Sequence, residues 1–347
     1  MLKNKKYISI FMIILFVLVS ITFIKTFYYH SETKKYNKLF NDSVNKQDNG
    51  IMVYSEEDTV PVSSNSSIEK YISCLDEKIK TEDLSNDVKK IILDIKKFYD
   101  NNSKYFAFKY IDLYTGFTVS YNEGQSIFAA SAIKAPADIY IYEMASQGKI
   151  DLSEELKYTE KYYNTGTGVL KNKKIGTSYD IKTLLEYSIR YSDNAAHNML
   201  MDKYGRENML DFWTDLGTKS IFKVENNWGN VSAKDAGIYM QELYNFYRNN
   251  SEYGKMALDN FLNTSFKLIT SKDGYKVANK SGWSGSSMHD ASIVMADNPY
   301  VLVALSNLGN DDNYSYYFNT VSNYASTLHN EYWKYKMKYC NKFKQYN

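Results

Sequence analysis

A chain of 347 residues is too long for one small module and suits one large domain with an extension. Lysine and arginine total 42 against 40 aspartates and glutamates, a net charge of +2, so no global field points to nucleic acid as a partner. Apolar residues reach 44%, enough for a core, and the abundance of Lys, Asn, Ile and Tyr reads as AT-rich coding bias rather than function.

The chain opens with a basic flank, Lys3, Lys5 and Lys6, before an uncharged, mostly apolar run from Tyr7 to Ile24. That run is long enough to span a membrane and longer than an ordinary signal-peptide core. Its exit, Lys25-Thr26-Phe27-Tyr28-Tyr29-His30, is bulky and lacks a small-residue cleavage site. The basic flank places the N-terminus inside and the bulk of the chain outside. Residues 1–30 therefore read as an uncleaved signal anchor, with a secretory signal that is cleaved as the alternative. Residues 31–84 are polar and uneven, and Asn41 to Gly50 and Ser63-Ser64-Asn65-Ser66-Ser67 read as an extracytoplasmic linker. Ser67 to Lys80 could carry a short helix.

The domain proper spans 85–338. A helix is expected over Ser85 to Tyr99, where Val88, Ile91, Ile92, Ile95 and Phe98 share one face. Tyr105 to Leu113 and Phe117 to Tyr121 read as two strands around a turn at Tyr114-Thr115-Gly116. After a second turn, Asn122-Glu123-Gly124, comes Ser131-Ala132-Ile133-Lys134 at the start of an apolar helix running to Ser146. Residues i and i+3 share a helix face, so the Lys134 amine can lie beside the Ser131 hydroxyl. A hydroxyl becomes a nucleophile when a desolvated amine takes its proton. The N-terminal end of a helix also favours developing negative charge.

Further along, Tyr179 to Tyr191 and Ala195 to Tyr204 read as helices flanking Ser192-Asp193-Asn194. By itself that tripeptide could be no more than a helix cap. Tyr275 to Asn279 reads as a strand leading into Lys280-Ser281-Gly282-Trp283, which is also an ordinary turn composition. Two more strands, Ala291 to Ala296 and Tyr300 to Ser306, precede a long helix over Tyr314 to Tyr339 and a basic tail, 339–347. The histidines His197, His289 and His329 read as structural. Cys74 and Cys340 form no metal spacing. They could pair if the terminal helices pack together, but two unrelated free thiols is the preferred reading.

Taken in order, Ser131-x-x-Lys134, Ser192-Asp193-Asn194 and Lys280-Ser281-Gly282 resemble the signature set of class A β-lactamases and penicillin-binding proteins. Serine replaces threonine in the third motif. Asp112-Leu113-Tyr114-Thr115-Gly116, Gly166-Thr167-Gly168-Val169-Leu170 and His289-Asp290 extend the resemblance. It implies an α/β (α+β) fold, an antiparallel sheet of about five strands flanked by helices with a helical subdomain. It also implies a serine hydrolase without cofactor or metal, and a monomer. Ser131 would attack a β-lactam or D-alanyl peptide carbonyl with help from Lys134. Ser192 would relay a proton to the departing nitrogen, its pKa lowered by Lys280. Asn194 would hold the substrate amide and Ser281 its carboxylate, while Gly282 would let the ligand approach the strand. The backbone N–H groups of Ser131 and Trp283 would form the oxyanion hole.

One part of the family pattern is missing. The class A enzymes carry a glutamate in a Glu-x-x-Leu-Asn pattern that activates the deacylating water, and this chain has none between its second and third motifs. The region around Glu225 is compressed and runs almost directly into the next helix at Ser232. Glu225, beside Asn226 and Asn227, is a substitute candidate, although a solvated loop residue is the plainer reading. The expectation is a membrane-anchored β-lactam hydrolase, with two alternatives. One is a penicillin-binding or D,D-peptidase-like enzyme that releases its acyl group slowly; the other is a non-catalytic sensing domain.

Overall fold

The structure, a computed structural model, describes residues 20, 34–35, 37–44, 50–55, 79–223, 228–249 and 252–346. Its centre is an antiparallel sheet of six strands in the order β1-β3-β2-β10-β9-β8. These are β1 (Ile51–Ser55), β2 (Tyr105–Asp112), β3 (Phe117–Tyr121), β8 (Val277–Trp283), β9 (Met288–Val294) and β10 (Tyr300–Ser306). Two short ribbons complete the strands, β4 (Ser126–Phe128) with β7 (Asn230–Ser232) and β5 (Glu155–Lys157) with β6 (Ser178–Asp180).

Successive side chains of a strand face opposite ways, and β10 shows the consequence. Its Leu302 and Ala304 enter one core, whereas Val301, Val303 and Leu305 enter the other. The first core is closed by helix α1 (Asn86–Asp100) and the long C-terminal helix α8 (Tyr314–Tyr346), through residues such as Val88, Ile92, Ile95, Tyr317, Val321 and Leu328. Ser85 caps α1, its hydroxyl accepting the Val88 N–H at 3.3 Å. The second core lies under α2 (Lys134–Ser146), α3 (Ile181–Arg190), α4 (Asn194–Tyr204), α5 (Arg206–Asp215), α6 (Ala233–Asn249) and α7 (Tyr253–Leu262). Helix α2 is buried on nearly every side, as its sequence requires, and it carries the serine motif into the centre of the domain.

Several expectations need correction. The sheet has six strands because Ile51–Ser55, within the stretch read as linker, pairs with β3 from Ile51 opposite Tyr121 to Ser55 opposite Phe117. Burial fixes it there. Lys109 on β2 reaches the Glu123 carboxylate at 2.7 Å, and Tyr54 of β1 donates to the same oxygen at 2.7 Å. Residues 37–44 are helical, with Phe40 fully buried and Asn37 accepting from Lys89 Nζ at 2.8 Å. The stretch read as a basic tail continues α8 to Tyr346. Cys340 is fully buried and held in a disulfide, not a free thiol. The sequence has one other cysteine, Cys74, which lies outside the described residues. The expected span over 7–24 also lies outside them, Ser20 excepted, as does most of the Ser67–Lys80 stretch. Among the described residues no helix is long and apolar enough to cross a membrane.

The Asp112–Gly116 stretch is a hub for α8. Asp112 Oδ1 accepts from the Tyr114 and Thr115 N–H groups, and its Oδ2 accepts from Trp333 Nε1 at 2.6 Å. Tyr332 donates to Thr115 Oγ1 at 2.9 Å. The turn's own hydrogen bonds therefore seat the last helix on the sheet.

Candidate active site

The serine stretch begins as a 3-10 turn, Ala130–Ile133, that runs directly into α2. Ala130, just before Ser131, has φ +46°, and Ser192 has φ +53°. Side-chain-bearing residues rarely occupy that region, and the surrounding structure must hold them in it. His289 on β9 does part of this. Its Nδ1 accepts the Ser306 N–H at 3.2 Å, which leaves Nε2 to donate to Phe128 O at 2.9 Å. Burial lowers the His289 pKa to about 4, so the ring stays neutral and keeps this tautomer.

Lys134 has no exposed surface, and its Nζ stands at the middle of the site. It lies 3.1 Å from Ser131 Oγ, 2.6 Å from Ser192 O, 3.2 Å from Ser192 Oγ and 2.7 Å from Asn194 Oδ1. An ammonium has three N–H groups for these four oxygens. A free amine donates along the two shortest contacts and turns its lone pair to one hydroxyl, placed to take its proton. Burial, then the positive charge of Lys280, push the Lys134 pKa well down, against the pull of Asp193 and Asp138.

Lys280 completes the group from β8. Its Nζ donates to Ser192 Oγ at 3.1 Å and to Ser281 O at 2.8 Å. Burial lowers its pKa to about 8, with Asp290 and Asp138 opposing. Ser192 Oγ thus lies within hydrogen-bond reach of both lysines.

The Lys280-Ser281-Gly282-Trp283 stretch is strand, not a turn beyond a strand. β8 is the sheet's edge, and the Ser284 N–H donates to Ser287 O at 2.8 Å. Hydrogen-bonded and non-hydrogen-bonded pairs alternate in an antiparallel ladder, so Trp283, opposite Met288, turns its N–H and C=O away from β9. They point off the free edge. A Cβ on Gly282 would lie 2.5 Å from Ala129 O and 2.8 Å from Ala132 N, so only glycine allows β8 this close to the nucleophile turn.

Asp193 organises the second motif. It caps α4 by accepting the Ala196 N–H at 2.9 Å, and its other oxygen accepts from the Val169 and Leu170 N–H groups at 2.6 and 2.7 Å. The Asn194 N–H donates to Thr167 O at 3.0 Å. The Gly166–Leu170 stretch is therefore the support of Ser192 and Asn194. A Cβ on Gly166 would meet Asn194 Nδ2 at 2.5 Å.

The resulting cleft, about 380 Å³, is lined by Ser131, Ser192, Ser281 and Trp283, with Thr167, Tyr191, Phe266, Met288 and Tyr314 among its walls. Trp283 is 58% exposed yet fixed, its Nε1 donating to Gly309 O at 2.8 Å. The fold thus gathers Ser131, Lys134, Ser192, Lys280, Asn194, Ser281, Gly282 and Trp283. Asn194 turns its oxygen to Lys134 and its nitrogen to Asn164 at 3.3 Å, and it is not among the cleft-lining residues. Glu225 lies outside the described residues, with 224–227. Trp228, to which the sequence assigns no role, places its ring 5.2 Å from Lys134 Nζ and 5.5 Å from the His197 ring. Nothing in its spacing marks it; the contact joins residues far apart in sequence. Among the described residues no cluster of His, Cys, Asp and Glu could hold a metal.

Comparison with known proteins agrees with this geometry. Residues 84–332 match the model of a family described as the beta-lactamase enzyme family. Beta-lactamase SME-1 of Serratia marcescens is 24% identical over 186 residues, 52% of this chain and 60% of that enzyme. Beta-lactamase 3 of Bacillus cereus is 31% identical over 96 residues, 27% of this chain and 29% of that enzyme. The chain thus spans less than two thirds of these relatives. A mutant of PBP-A, solved as an acyl-enzyme complex with penicillin G, superposes with a TM-score of 0.64 at 21% identity, covering 70% of this chain and 97% of that one. The chain belongs to the beta-lactamase enzyme family.

Proposed function

We propose that this protein is a membrane-anchored, extracytoplasmic serine hydrolase that takes β-lactams onto Ser131 as acyl-enzymes and hydrolyses them. The observation that carries the reading is the Lys134 amine, buried, lowered in pKa and 3.1 Å from Ser131 Oγ. In this scheme Lys134 takes the Ser131 proton as Oγ attacks the lactam carbonyl. The oxyanion forms against the N–H groups of Ser131 and Trp283. The C–N bond then breaks, and Ser192 gives its proton to the departing nitrogen. Both lysines stand close enough to Ser192 Oγ to replace that proton. Ser281 is the hydroxyl for the substrate carboxylate, and Trp283 supplies an apolar wall beside it.

Slow release of the acyl group is the second reading, that of a penicillin-binding enzyme acting on D-alanyl peptides. Trp228 favours it, because among the described residues an indole rests on Lys134, and an indole activates no water. Intact mass measured during incubation with penicillin G decides between them. Turnover without a lasting adduct supports hydrolysis, and a stable adduct on Ser131 supports slow release. Neither product nor adduct, or an adduct that survives Ser131→Ala, sinks the acyl-serine reading.

The apolar run 7–24 behind its lysines supports the anchor. The disulfide at Cys340 supports an oxidising, extracytoplasmic compartment. Expression with residues 7–24 deleted should move the protein out of the membrane fraction; retention there would refute the anchor.

A further inference from the structure

The cleft has two unlike halves. Serine hydroxyls supply one, and Tyr191, Phe266, Trp283, Met288 and Tyr314 supply the other. Among the described residues that line it, none is charged. Large apolar side chains gathered in one open cleft mark a binding surface. Trp283 is 58% exposed and Phe266 47%, yet both are held. The indole N–H of Trp283 donates to Gly309 O, and the Gly309 turn lies so close to Gly285 that a Cβ would strike the Gly285 carbonyl. The Phe266 carbonyl accepts from Asn279 Nδ2 at 3.2 Å and from Ser281 Oγ at 3.4 Å, and the Ser265 N–H before it donates to Arg190 O at 2.8 Å. Rings carried on a fixed backbone lose little freedom when a ligand covers them.

The strand places these rings relative to the chemistry. Gly282 faces Ala129 and Ala132 of the nucleophile turn, so Ser281 and Trp283 on either side of it face the opposite way. Met288, opposite Trp283, shares that face and belongs to the core closed by α8, which Tyr314 opens. The cleft therefore runs from Ser131 across the free edge of β8 onto the rings. In the acyl-transfer scheme Ser192 gives its proton to the departing nitrogen and Ser281 receives the substrate carboxylate. Both line the cleft with the rings, whereas Asn194, the partner of the substrate amide, does not. The rings thus flank the half of the substrate that carries the departing nitrogen and the carboxylate, not the acylamino half.

We propose that Phe266 and Trp283 form a specificity subsite for the departing-nitrogen side of the substrate, which takes a flat, uncharged aromatic substituent borne beside the carboxylate. The inference rests on the acyl-serine reading above and names the substrate class within it. A flat ring can stack on the indole and meet the phenyl edge. A charged substituent would find no ionic partner among the residues that line the cleft. A departing D-alanine bears only a methyl group at this place and would leave both rings uncovered.

The test compares cephalothin with nitrocefin. The two share one thienylacetyl side chain and differ beside the carboxylate, where cephalothin has an acetoxymethyl group and nitrocefin a dinitrostyryl group. Acylation is read as kcat/KM from lactam absorbance, or as the second-order rate of adduct formation by intact mass where the adduct lasts. The nitrocefin-to-cephalothin ratio is then compared between variant and wild type, which cancels the intrinsic reactivities of the two lactams. A general loss of rate, such as a shifted Trp283 N–H would cause, falls on both lactams and cancels too. Phe266→Ala and Trp283→Ala should each lower the ratio roughly three- to tenfold, the worth of one ring-on-ring contact. Trp283→Phe keeps a ring and should restore most of it, and it carries the test with Phe266→Ala if Trp283→Ala does not fold. Penicillin G against its parent aminopenicillanic acid, which differ only in the acyl side chain, is the control. A ratio unmoved in the variants, or a fall confined to the penicillin pair, overturns this inference alone. A wild-type protein that neither hydrolyses nor is acylated by any of these lactams defeats the acyl-serine reading, and this inference with it.

Discussion

Gly282→Ala tests the contact between β8 and the nucleophile turn. The new Cβ would lie 2.5 Å from Ala129 O and 2.8 Å from Ala132 N. Both are backbone atoms of the turn that carries Ser131, so neither can swing aside as a flexible side chain would. Relief requires the strand edge and the turn to part by about half an ångström or more, measured against the closest approach real Cβ atoms show. The Trp283 N–H, one residue on, moves with the strand. An oxyanion donor acts through short, directed contact, and losing one costs about 3 kcal/mol in the barrier, roughly a hundredfold in rate. The acylation rate with penicillin G, followed by intact mass, should therefore fall by about two orders of magnitude. The fold should survive, because β8 keeps its ladder to β9 and the melting temperature should drop by only a few degrees. Acylation at the wild-type rate would refute the reasoning, since the strand edge would then not be part of the catalytic geometry. A collapse in melting temperature to match the lost rate would refute it differently, by making the contact structural.

Gly168→Ala should weaken both stability and acylation. Gly168 has φ +131°, and a Cβ there would lie 2.6 Å from Asp193 Cα, so the Val169–Leu170 clamp must open; denaturant melts should show a loss of about 2 kcal/mol or more. Wild-type stability would show that Asp193 does not depend on that approach. Cys340→Ser should cost about 2–5 kcal/mol of unfolding free energy, and reductant should have the same effect on the wild type but none on the variant. His329 concerns acid stability. Burial lowers its pKa from 6.5 to about 4, so the folded state binds fewer protons than the unfolded state between those values. Its contribution is whole above pH 6.5 and is lost as pH falls towards 4, up to about 3 kcal/mol. His329→Gln should therefore flatten the fall in melting temperature from pH 6.5 to 4, and an unchanged slope would show that the ring is not buried neutral.

Much of the domain was legible in the sequence because its signals are local. Strand β10 and helix α1 each declare their faces in their own residues, and the three motifs carry chemistry at fixed spacings. What escaped the sequence depends on contacts between distant segments. β1 is a five-residue edge strand in a polar stretch, and nothing in Ile51-Met52-Val53-Tyr54-Ser55 separates it from linker until β3 lies beside it and Glu123 draws in Tyr54. Lys280-Ser281-Gly282 looks like a turn by composition and is strand because β9 pairs along its whole length. The family motifs name Lys134 and Lys280 as chemical groups but not the charge each carries.

That charge is set by what surrounds the lysines, and their surroundings come from several parts of the fold. Lys134 meets four oxygens from three separate residues, one of them on its own turn and the others from the segment between α3 and the start of α4. Asp193 comes from the cap of α4 and Asp290 from β9. A serine and a lysine three residues apart can be read as a nucleophile and its base. Whether the base is free to act depends on Lys280 and Asp193, up to about 150 residues away in sequence, and these become neighbours only when the sheet edge closes on the helix.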